Sequence, residues 1–265
     1  MSRRRLRLAV AVALLAITAG CLGGGPVSEQ ELDEEPPLGG YAWDAGVDVH
    51  IAITEGARFQ AVYNASAFEQ GSVELYRNDG VGGRNPIPVS AVRYRYENGT
   101  QLNGSEFRAR GGEVSRSREV VNVTLPPDAA GGQLAFTSQS TPKRFTLPVF
   151  VEGSYEVVLP PDRDISVPII GSTSPGASEV ATDEQNRVHI RWAEVTSRNI
   201  VVQFYLQRDL YIFGGLLAVL FVIGGLGLFR YQRQIKVLQE EREELGLDVE
   251  TDDDEFDQGP PPGMR

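Results

Sequence analysis

Between residues 47 and 53 the chain reads VDVHIAI, and this stretch shows the pattern that decides the fold. Valine and isoleucine recur at every second position, while Asp48, His50 and Ala52 fall between them. Successive side chains of a β-strand point to opposite faces, so a period of two indicates a strand with one apolar face. We therefore expect a half-buried strand here.

Nine further runs of this kind follow. They cover residues 58–63, 72–77, 89–96, 119–125, 133–137, 144–151, 155–159, 188–192 and 199–205. Turn sequences separate them, including Asn98-Gly99 and Asn103-Gly104, and Asn-Gly is the strongest short hairpin signal. Many short strands at close spacing predict an all-β domain over residues 41–207, a β-sandwich that is immunoglobulin-like but lacks a disulfide.

Charge and cysteine content exclude several classes of function. The chain has 36 Asp and Glu against 25 Lys and Arg, a net charge of -11, which argues against nucleic acid as a partner. Cys21 is the only cysteine, so the chain cannot form an internal disulfide or a thiolate metal cluster. Only Lys143 and Lys236 are lysine, and an acidic, arginine-rich composition is typical of salt-loving archaea.

Residues 1–20 predict an export signal, with arginines at the start, an apolar run and then Ala19-Gly20. The apolar run is shorter than the ~20 residues that cross a bilayer. The tetrapeptide Thr18-Ala19-Gly20-Cys21 resembles a lipoprotein box and predicts a lipid on Cys21. A plain signal peptide with an incidental cysteine is the alternative, and both the twin-arginine and the general secretory routes stay open.

Residues 21–40 are rich in glycine, proline and acidic side chains and offer little to bury. That composition predicts a disordered tether between the lipid and the domain. A flexible coil of this length has an end-to-end distance of ~25 Å, so the tether keeps the domain near the membrane.

Residues 210–229 contain no charged side chain, and twenty such residues cross ~30 Å of hydrocarbon as a helix. Four basic side chains follow within residues 230–242, whereas Arg208 precedes the segment beside an aspartate. The positive-inside rule therefore predicts a single-pass cell-membrane protein with a large extracytoplasmic domain and a cytoplasmic C-terminus. We expect a juxtamembrane helix over 230–247 and a disordered acidic tail over 248–265.

Two patterns in this part of the chain suggest a partner helix. Gly214 and Ala218 form a small-xxx-small pair, and Ile235, Leu238 and Leu245 belong to an apolar seam of alternating spacing. Both are compatible with a homodimer. An unpaired helix is the alternative, because the seam covers fewer than three heptads and glycine is common in membrane spans.

Four glycosylation sequons begin at Asn64, Asn98, Asn103 and Asn122, which is half of the chain's eight asparagines. They predict sugar attachment and agree with an exterior location, although sequons also occur by chance. Asn98 and Asn103 are the better candidates, because both fall at predicted hairpin tips.

Signals for catalysis are weak. His50 and His189 are the only histidines, and they would form a zinc or acid–base site only if their strands were neighbours; no carboxylate stands at a recognisable ligand spacing. The acid pairs Asp162 with Asp164 and Asp183-Glu184 could serve a hydrolase or a Ca²⁺ site, but loop acids in an acidic chain are usually solvated. We therefore predict no catalytic, metal or cofactor site.

Four strings carry a resemblance to a known group of proteins. They are GGYAWD at residues 39–44, TPKRF at 141–145, EGSYEVVLPPDR at 152–163 and YLQRDL at 205–210. Together they resemble an uncharacterised family of haloarchaeal membrane proteins and would place nearly the whole chain in it. The resemblance implies source and topology and supplies no functional residue.

These observations predict a non-enzymatic module anchored at the cell surface, which binds other membrane or envelope proteins or assists them. Its expected partners are membrane lipid and those proteins, with no nucleic acid. Two alternatives stay open: a surface hydrolase that uses loop carboxylates, and a sensor that signals through its single helix.

Overall fold

A computed structural model describes residues 24–129 and 131–244 of the protein. The strands are β1 (Gly25–Pro26), β2 (Val49–Ile53), β3 (Arg58–Asn64), β4 (Ser72–Asn78), β5 (Arg84–Pro86), β6 (Ser90–Arg95), β7 (Gln101–Leu102), β8 (Glu113–Arg116), β9 (Val121–Thr124), β10 (Gln133–Gln139), β11 (Arg144–Pro148), β12 (Gly153–Val158), β13 (Arg163–Asp164), β14 (Ser172–Ser174), β15 (Glu179–Thr182), β16 (Val188–Val195), β17 (Asn199–Gln203) and β18 (Tyr205–Leu206). The helices are α1 (Glu29–Leu32), α2 (Gly104–Ala109) and α3 (Gln207–Glu244), with 3₁₀ turns at Ala65–Ala67 and Glu69–Gly71.

This architecture confirms the predicted sandwich-like β domain followed by one long apolar helix. Contacts divide the chain after Gln207. We call the described residues up to Gln207 the β domain and treat α3 separately.

The β domain is built on one large sheet and smaller ones. The large sheet has the order β15-β16-β12-β2-β3-β10-β6-β7, a second has the order β1-β8-β9-β4-β5, and a third has the order β11-β17-β14. β13 and β18 form a separate pair. Among the described pairs, only β12 with β2 is parallel. A parallel pair needs a long crossover, and here about a hundred residues separate the two strands in the chain.

The core lies between the large sheet and the smaller ones. Ile51 of β2, Val123 of β9 and Val202 of β17 belong to one buried cluster, so residues from three sheets share it. Phe59 and Phe145 meet edge to face at 5.2 Å between ring centroids and join β3 to β11. Such aromatic pairs stabilise a core beyond the area that they bury.

The opposite face of the large sheet, its outer face, is also covered. Residues 36–46 cross part of it, where Tyr41 donates to the Ala91 carbonyl at 2.5 Å and Gln60 Nε2 donates to the Gly40 carbonyl at 3.0 Å. Trp43 lies under Arg95, 5.3 Å from the guanidinium carbon. The half-buried strand expected at residues 47–53 is therefore different in the structure, because every residue of β2 is buried.

The segment before this cover differs from the disordered tether expected over residues 21–40. Its described part begins with β1, which pairs with β8, and continues into α1. Leu32 is fully buried, and a Cβ on Gly104 would lie 2.4 Å from the Leu32 Cβ. Arg93 donates to the Leu32 and Glu34 carbonyls at 3.2 and 2.9 Å. We call residues 24–34 the N-terminal strap.

One predicted hairpin turn is wrong. Asn98-Gly99 does connect β6 and β7, with Gly99 in the left-handed region at a φ of 86°. Asn103-Gly104 instead begins α2, because the Asn103 side chain accepts from the Glu106 amide and Glu106 accepts from the Asn103 amide. This reciprocal pair is a capping box, and it makes Asn103 a helix cap rather than a hairpin tip.

α3 extends from Gln207 to Glu244 without interruption. Its apolar side chains are exposed around the whole helix, as Phe213, Val219 and Phe221 show at 60, 55 and 77%. It is the one helix among the described residues that is long and apolar enough to cross a membrane. Residues 245–265, which include Leu245 and the predicted acidic tail, lie outside the described part of the chain.

Candidate functional site

The two histidines come together on the outer face of the large sheet. β12 lies between β2 and β16, and Glu156 pairs with His50 on one side and with Arg191 on the other. His189 pairs with Val158, two residues further along β12. The strands of the two histidines are therefore not neighbours, but both are next to β12. The β12 side chains that point to the outer face lie between the two histidines.

Glu156 joins the cluster together. Its Oε1 accepts a hydrogen bond from Arg191 Nε at 2.8 Å and lies 3.0 Å from His189 Nδ1. Its Oε2 lies 3.7 Å from His50 Nε2. Glu156 is only 2% exposed, and a carboxylate so deeply buried is tolerated when neighbouring side chains neutralise it.

Asp183 extends the cluster to the turn between β15 and β16. Its Oδ2 lies 3.1 Å from His189 Nε2 and accepts from Arg187 Nε at 2.8 Å. Its Oδ1 accepts the backbone N–H groups of Gln185 and Arg187 at 3.0 and 2.9 Å. Both ring nitrogens of His189 thus face a carboxylate oxygen.

Burial and charge shift the titration of the cluster in a consistent way. Burial lowers the pKa of His50, although the Glu156 carboxylate acts in the opposite direction. Burial alone would raise the pKa of Glu156, but the hydrogen bonds from His189 and Arg191 outweigh it and the pKa lies below its usual value. The pKa of Asp183 lies well below its usual range, because hydrogen bonds from Arg187 and His189 outweigh desolvation. The arrangement therefore favours a neutral His50 beside two ionised carboxylates.

Two other acids singled out in the sequence bond elsewhere: Asp164 to its own turn and Asp162 to a side chain distant in sequence. Asp162 Oδ1 accepts from Asn186 Nδ2 at 2.8 Å. Asp164 Oδ1 accepts from the Ile165 and Ser166 amides at 2.6 and 2.9 Å, and its Oδ2 accepts from Ser166 Oγ at 2.8 Å. Side chains of this kind stabilise turns by bonding to nearby backbone groups. The structure does not bring Asp162 and Asp164 together as a pair of carboxylates that face a common substrate.

The chemistry that the cluster supports is electrostatic. Across residues 24–129 and 131–244, no group of three or more His, Cys, Asp and Glu side chains has a geometry that could hold a metal ion. The nitrogen and oxygen atoms of Glu156, His189 and Asp183 bond to one another instead. The cluster thus joins β12 to β16 through hydrogen-bonded side chains, and His50 of β2 lies beside it.

Sequence reasoning missed the residue that organises this cluster. Glu156 stands between Tyr155 and Val157. The alternation of side chains along the strand indicates only that Glu156 points away from the core. Its partners come from β2, about a hundred residues earlier, and from β16, about thirty residues later. An isolated glutamate inside an apolar strand was the available signal, since such a residue needs partners if it is buried.

The four sequon asparagines occupy different environments. Asn98 is exposed at the turn between β6 and β7, where its Oδ1 accepts from the Thr100 amide at 2.9 Å. Asn64 and Asn103 use their side-chain oxygens to cap local turns, accepting from Ser66 and Glu106. Asn122 is half-buried within β9. Glycosylation stays a prediction, and Asn98 is the site whose side chain is most accessible.

Cys21 and the export signal lie outside the described residues, so lipid attachment also stays a prediction. Gly214 and Ala218 lie on α3, and nothing in the structure comes within 4 Å of a Cβ built on Gly214. Ile235 and Leu238 are exposed at 37 and 57% on the same helix. Pairing of α3 with a second copy is therefore sterically open and otherwise untested.

Comparison with known protein families gives a match over most of the chain. Residues 45–250 match a family described as "Family of unknown function (DUF5803)". No curated protein matches the chain. The match covers most of the β domain and all of α3.

Proposed function

We propose, for a chain that belongs to the DUF5803 family of unknown function, that it is a non-enzymatic surface module anchored in the cell membrane of a salt-loving archaeon. The β domain is extracytoplasmic, α3 crosses the membrane and the C-terminus is cytoplasmic. Its partners are other proteins of the membrane or envelope, which it binds or assists.

The exposed apolar surface of α3 is the observation that carries this proposal. Phe213, Val219 and Phe221 are exposed at 60, 55 and 77% and point to different sides of one continuous helix. A helix that is apolar all round is unstable in water and needs an apolar surrounding. Twenty uncharged residues rise by ~30 Å, which is the thickness of the hydrocarbon core.

The direction of insertion follows from charge. Four basic residues lie in the part of α3 that follows Phe229, and Arg233 lies 4.5 Å from the centre of the Phe229 ring. Basic side chains at the end of a span accumulate on the cytoplasmic side. This charge distribution supports an outside location for the β domain, in agreement with the predicted export signal and sequons.

The state of the titratable groups supports binding or assistance rather than catalysis. His189, Glu156 and Asp183 use their polar atoms on one another and on two arginines. A catalytic group needs a free position that faces a substrate. The hydrolase alternative rests on loop acids, and of these Asp164 bonds to its own turn and Asp162 to the Asn186 side chain.

A lipid on Cys21 is part of the proposal. The N-terminal strap packs against the β domain only a few residues after that cysteine. A lipid there would hold this edge of the domain to the same leaflet that α3 enters, whereas retention in the membrane would depend on α3. Mass spectrometry of the mature N-terminus tests it. We expect diacylglycerol on Cys21, and an unmodified N-terminus downstream of Cys21 would contradict the lipid.

The main test is protease protection of the full chain with a C-terminal epitope. External protease should degrade the β domain in intact cells and leave a protected fragment that carries the epitope. Permeabilised cells are the control, since the epitope should then be lost. Loss of the epitope in intact cells would reverse the topology. Crosslinking in intact membranes would identify the neighbouring proteins, and a chain that crosslinks to none of them would contradict a binding role.

A further inference from the structure

A loop of the β domain exposes two adjacent isoleucines to solvent. Residues 165–171 connect β13 to β14, and Ile169 is 90% exposed while Ile170 is 36% exposed. A single exposed apolar residue is ordinary, but two adjacent isoleucines at a loop tip are not. We propose that the tip of the 165–171 loop inserts into the outer lipid surface. This inference rests on the proposed membrane anchorage.

The loop is closed and firmly held. The Ile170 and Gly171 amides donate to the Val167 carbonyl at 3.1 and 2.7 Å. The loop ends approach so closely that a Cβ on Gly171 would lie 2.6 Å from the Ile165 Cα. Ile165 itself packs against the core. The loop therefore presents its tip with little entropy left to lose on contact.

The base of the loop is tied to the strand that continues into the membrane span. Asp164 pairs with Tyr205 in the β13–β18 ladder, and Ser166 Oγ lies 2.9 Å from the Tyr205 hydroxyl. The Gln207 amide donates to the Asp162 carbonyl at 3.2 Å. The uncharged segment starts at residue 210, three residues beyond Gln207, and three residues span at most ~11 Å. The loop base is thus held within a short length of chain from the bilayer surface.

The contact should be apolar rather than electrostatic. The tip residues Val167, Pro168, Ile169 and Ile170 carry no charge. The oxygens of Asp164 at the loop base accept hydrogen bonds from Ile165 and Ser166. Salt screens exposed charges but not the burial of apolar surface, so insertion should persist at high ionic strength.

Val81 is a matched control for Ile169. It is also apolar and 91% exposed, and it lies in the turn between β4 and β5. Asn78 next to that turn donates to Asn199, the first residue of β17, at 3.3 Å. β17 then runs for five residues before the chain approaches the span, a distance of ~16 Å. The turn that carries Val81 is thus next to the start of β17, whereas the chain continues toward the membrane span from the other end of β17.

The experiment places an environment-sensitive fluorophore on single cysteines in the full chain. Cys21→Ser removes the native thiol, and I169C and V81C are reconstituted into phosphatidylcholine vesicles with nitroxide-labelled lipids, at low and at high salt. We expect a blue-shifted emission and strong quenching by shallow nitroxides at position 169, unchanged by salt. Position 81 should report water. Circular dichroism of each variant checks that the fold is kept.

The outcomes separate the two proposals. Failure of the chain to float with vesicles would contradict the membrane anchorage itself. Flotation with water-like emission at position 169 would overturn the loop insertion and leave the loop free for a protein partner. Equal quenching at both positions would also overturn it, because the whole β domain would then adsorb to lipid without a specific contact.

Discussion

The β domain and α3 treat apolar side chains in opposite ways. In β12, Tyr155 and Val157 are 1 and 0% exposed, whereas in α3 the side chains of Val219 and Phe221 are 55 and 77% exposed. The domain alternates apolar and polar residues and folds its apolar faces together, while α3 has a continuous apolar run that a single helix cannot hide from water. The difference shows that the period of the pattern, more than its total hydrophobicity, decides where apolar residues reside.

Charge separates the two regions as clearly. The β domain buries Glu156 because β2 and β16 bring His50, His189 and Arg191 to it. The segment 210–229 contains no charge at all. Adding charges to α3 and removing the buried charge of Glu156 from the β domain therefore test this comparison directly.

The largest effect is expected from charges in α3. Leu217→Arg together with Leu220→Arg should raise the free energy of insertion by roughly 6 kcal/mol, since each arginine at the centre of a span costs about 3 kcal/mol. With Cys21→Ser in both proteins to remove the proposed lipid, the double arginine variant should leave the membrane fraction on carbonate extraction, whereas the control Leu217→Ile with Leu220→Ile should stay. Retention of the arginine variant would show that α3 is not the membrane anchor.

Removal of the buried charge comes next. Glu156→Leu leaves His189 and Arg191 without their shared carboxylate and should lower the free energy of unfolding by about 3 kcal/mol, the lower end for a broken buried pair because Arg191 is half-exposed. Chemical denaturation of the full chain in detergent measures it. Glu179→Leu is the control on the exposed strand β15, where Glu179 pairs with the other side of Arg191, and should change stability by less than about 0.5 kcal/mol. Equal effects would mean that burial of Glu156 is unimportant.

The N-terminal strap tests where the β domain begins. Leu32→Ala should lower the free energy of unfolding by about 2 kcal/mol, because Leu32 is fully buried against Gly104 and its removal leaves a cavity. Leu38→Ala is the control, since Leu38 is 54% exposed in the same stretch of the sequence. If neither substitution changed the free energy of unfolding, the segment would behave as the disordered tether that the composition predicts.

The smallest effect is a dependence on pH. Because burial lowers the pKa of His50 below the value of 6.5 that it has when unfolded, the unfolded chain binds more protons than the folded chain just below pH 6.5. Stability should therefore fall as the pH decreases from about 6.5, and again from about 4.5, where Glu156 protonates in the unfolded chain. The groups that face His50 are Glu156, His189, Arg187 and Arg191.

His50→Gln isolates the first of these steps. Thermal unfolding of the full chain across the pH range should give a flatter curve than the parent between about pH 6.5 and 5, with the same loss at lower pH where the carboxylates titrate. Parallel curves over the whole range would show that His50 does not contribute.

Local patterns were sufficient for most strands and for α3. The runs at 58–63, 72–77, 133–137 and 188–192 all lie within strands of the structure, because alternation along one segment reports the two faces of one strand. Of the strands of two to four residues, β9 lies within the predicted run 119–125, whereas β1, β13 and β14 were not predicted. They are too short to show a period, and pairing with a distant strand defines them.

The sequence by itself determined the all-β class of the β domain, the apolar helix after it and the absence of a second cysteine, since composition and periodicity are properties of the chain alone. Only the tertiary structure decided that Glu156 lies between two histidines, that Leu32 belongs to the core and that Asn103 caps a helix. These facts depend on which strands become neighbours. Many weak contacts between residues about thirty to a hundred positions apart together determine the strand order. No local pattern in one sequence encodes that order.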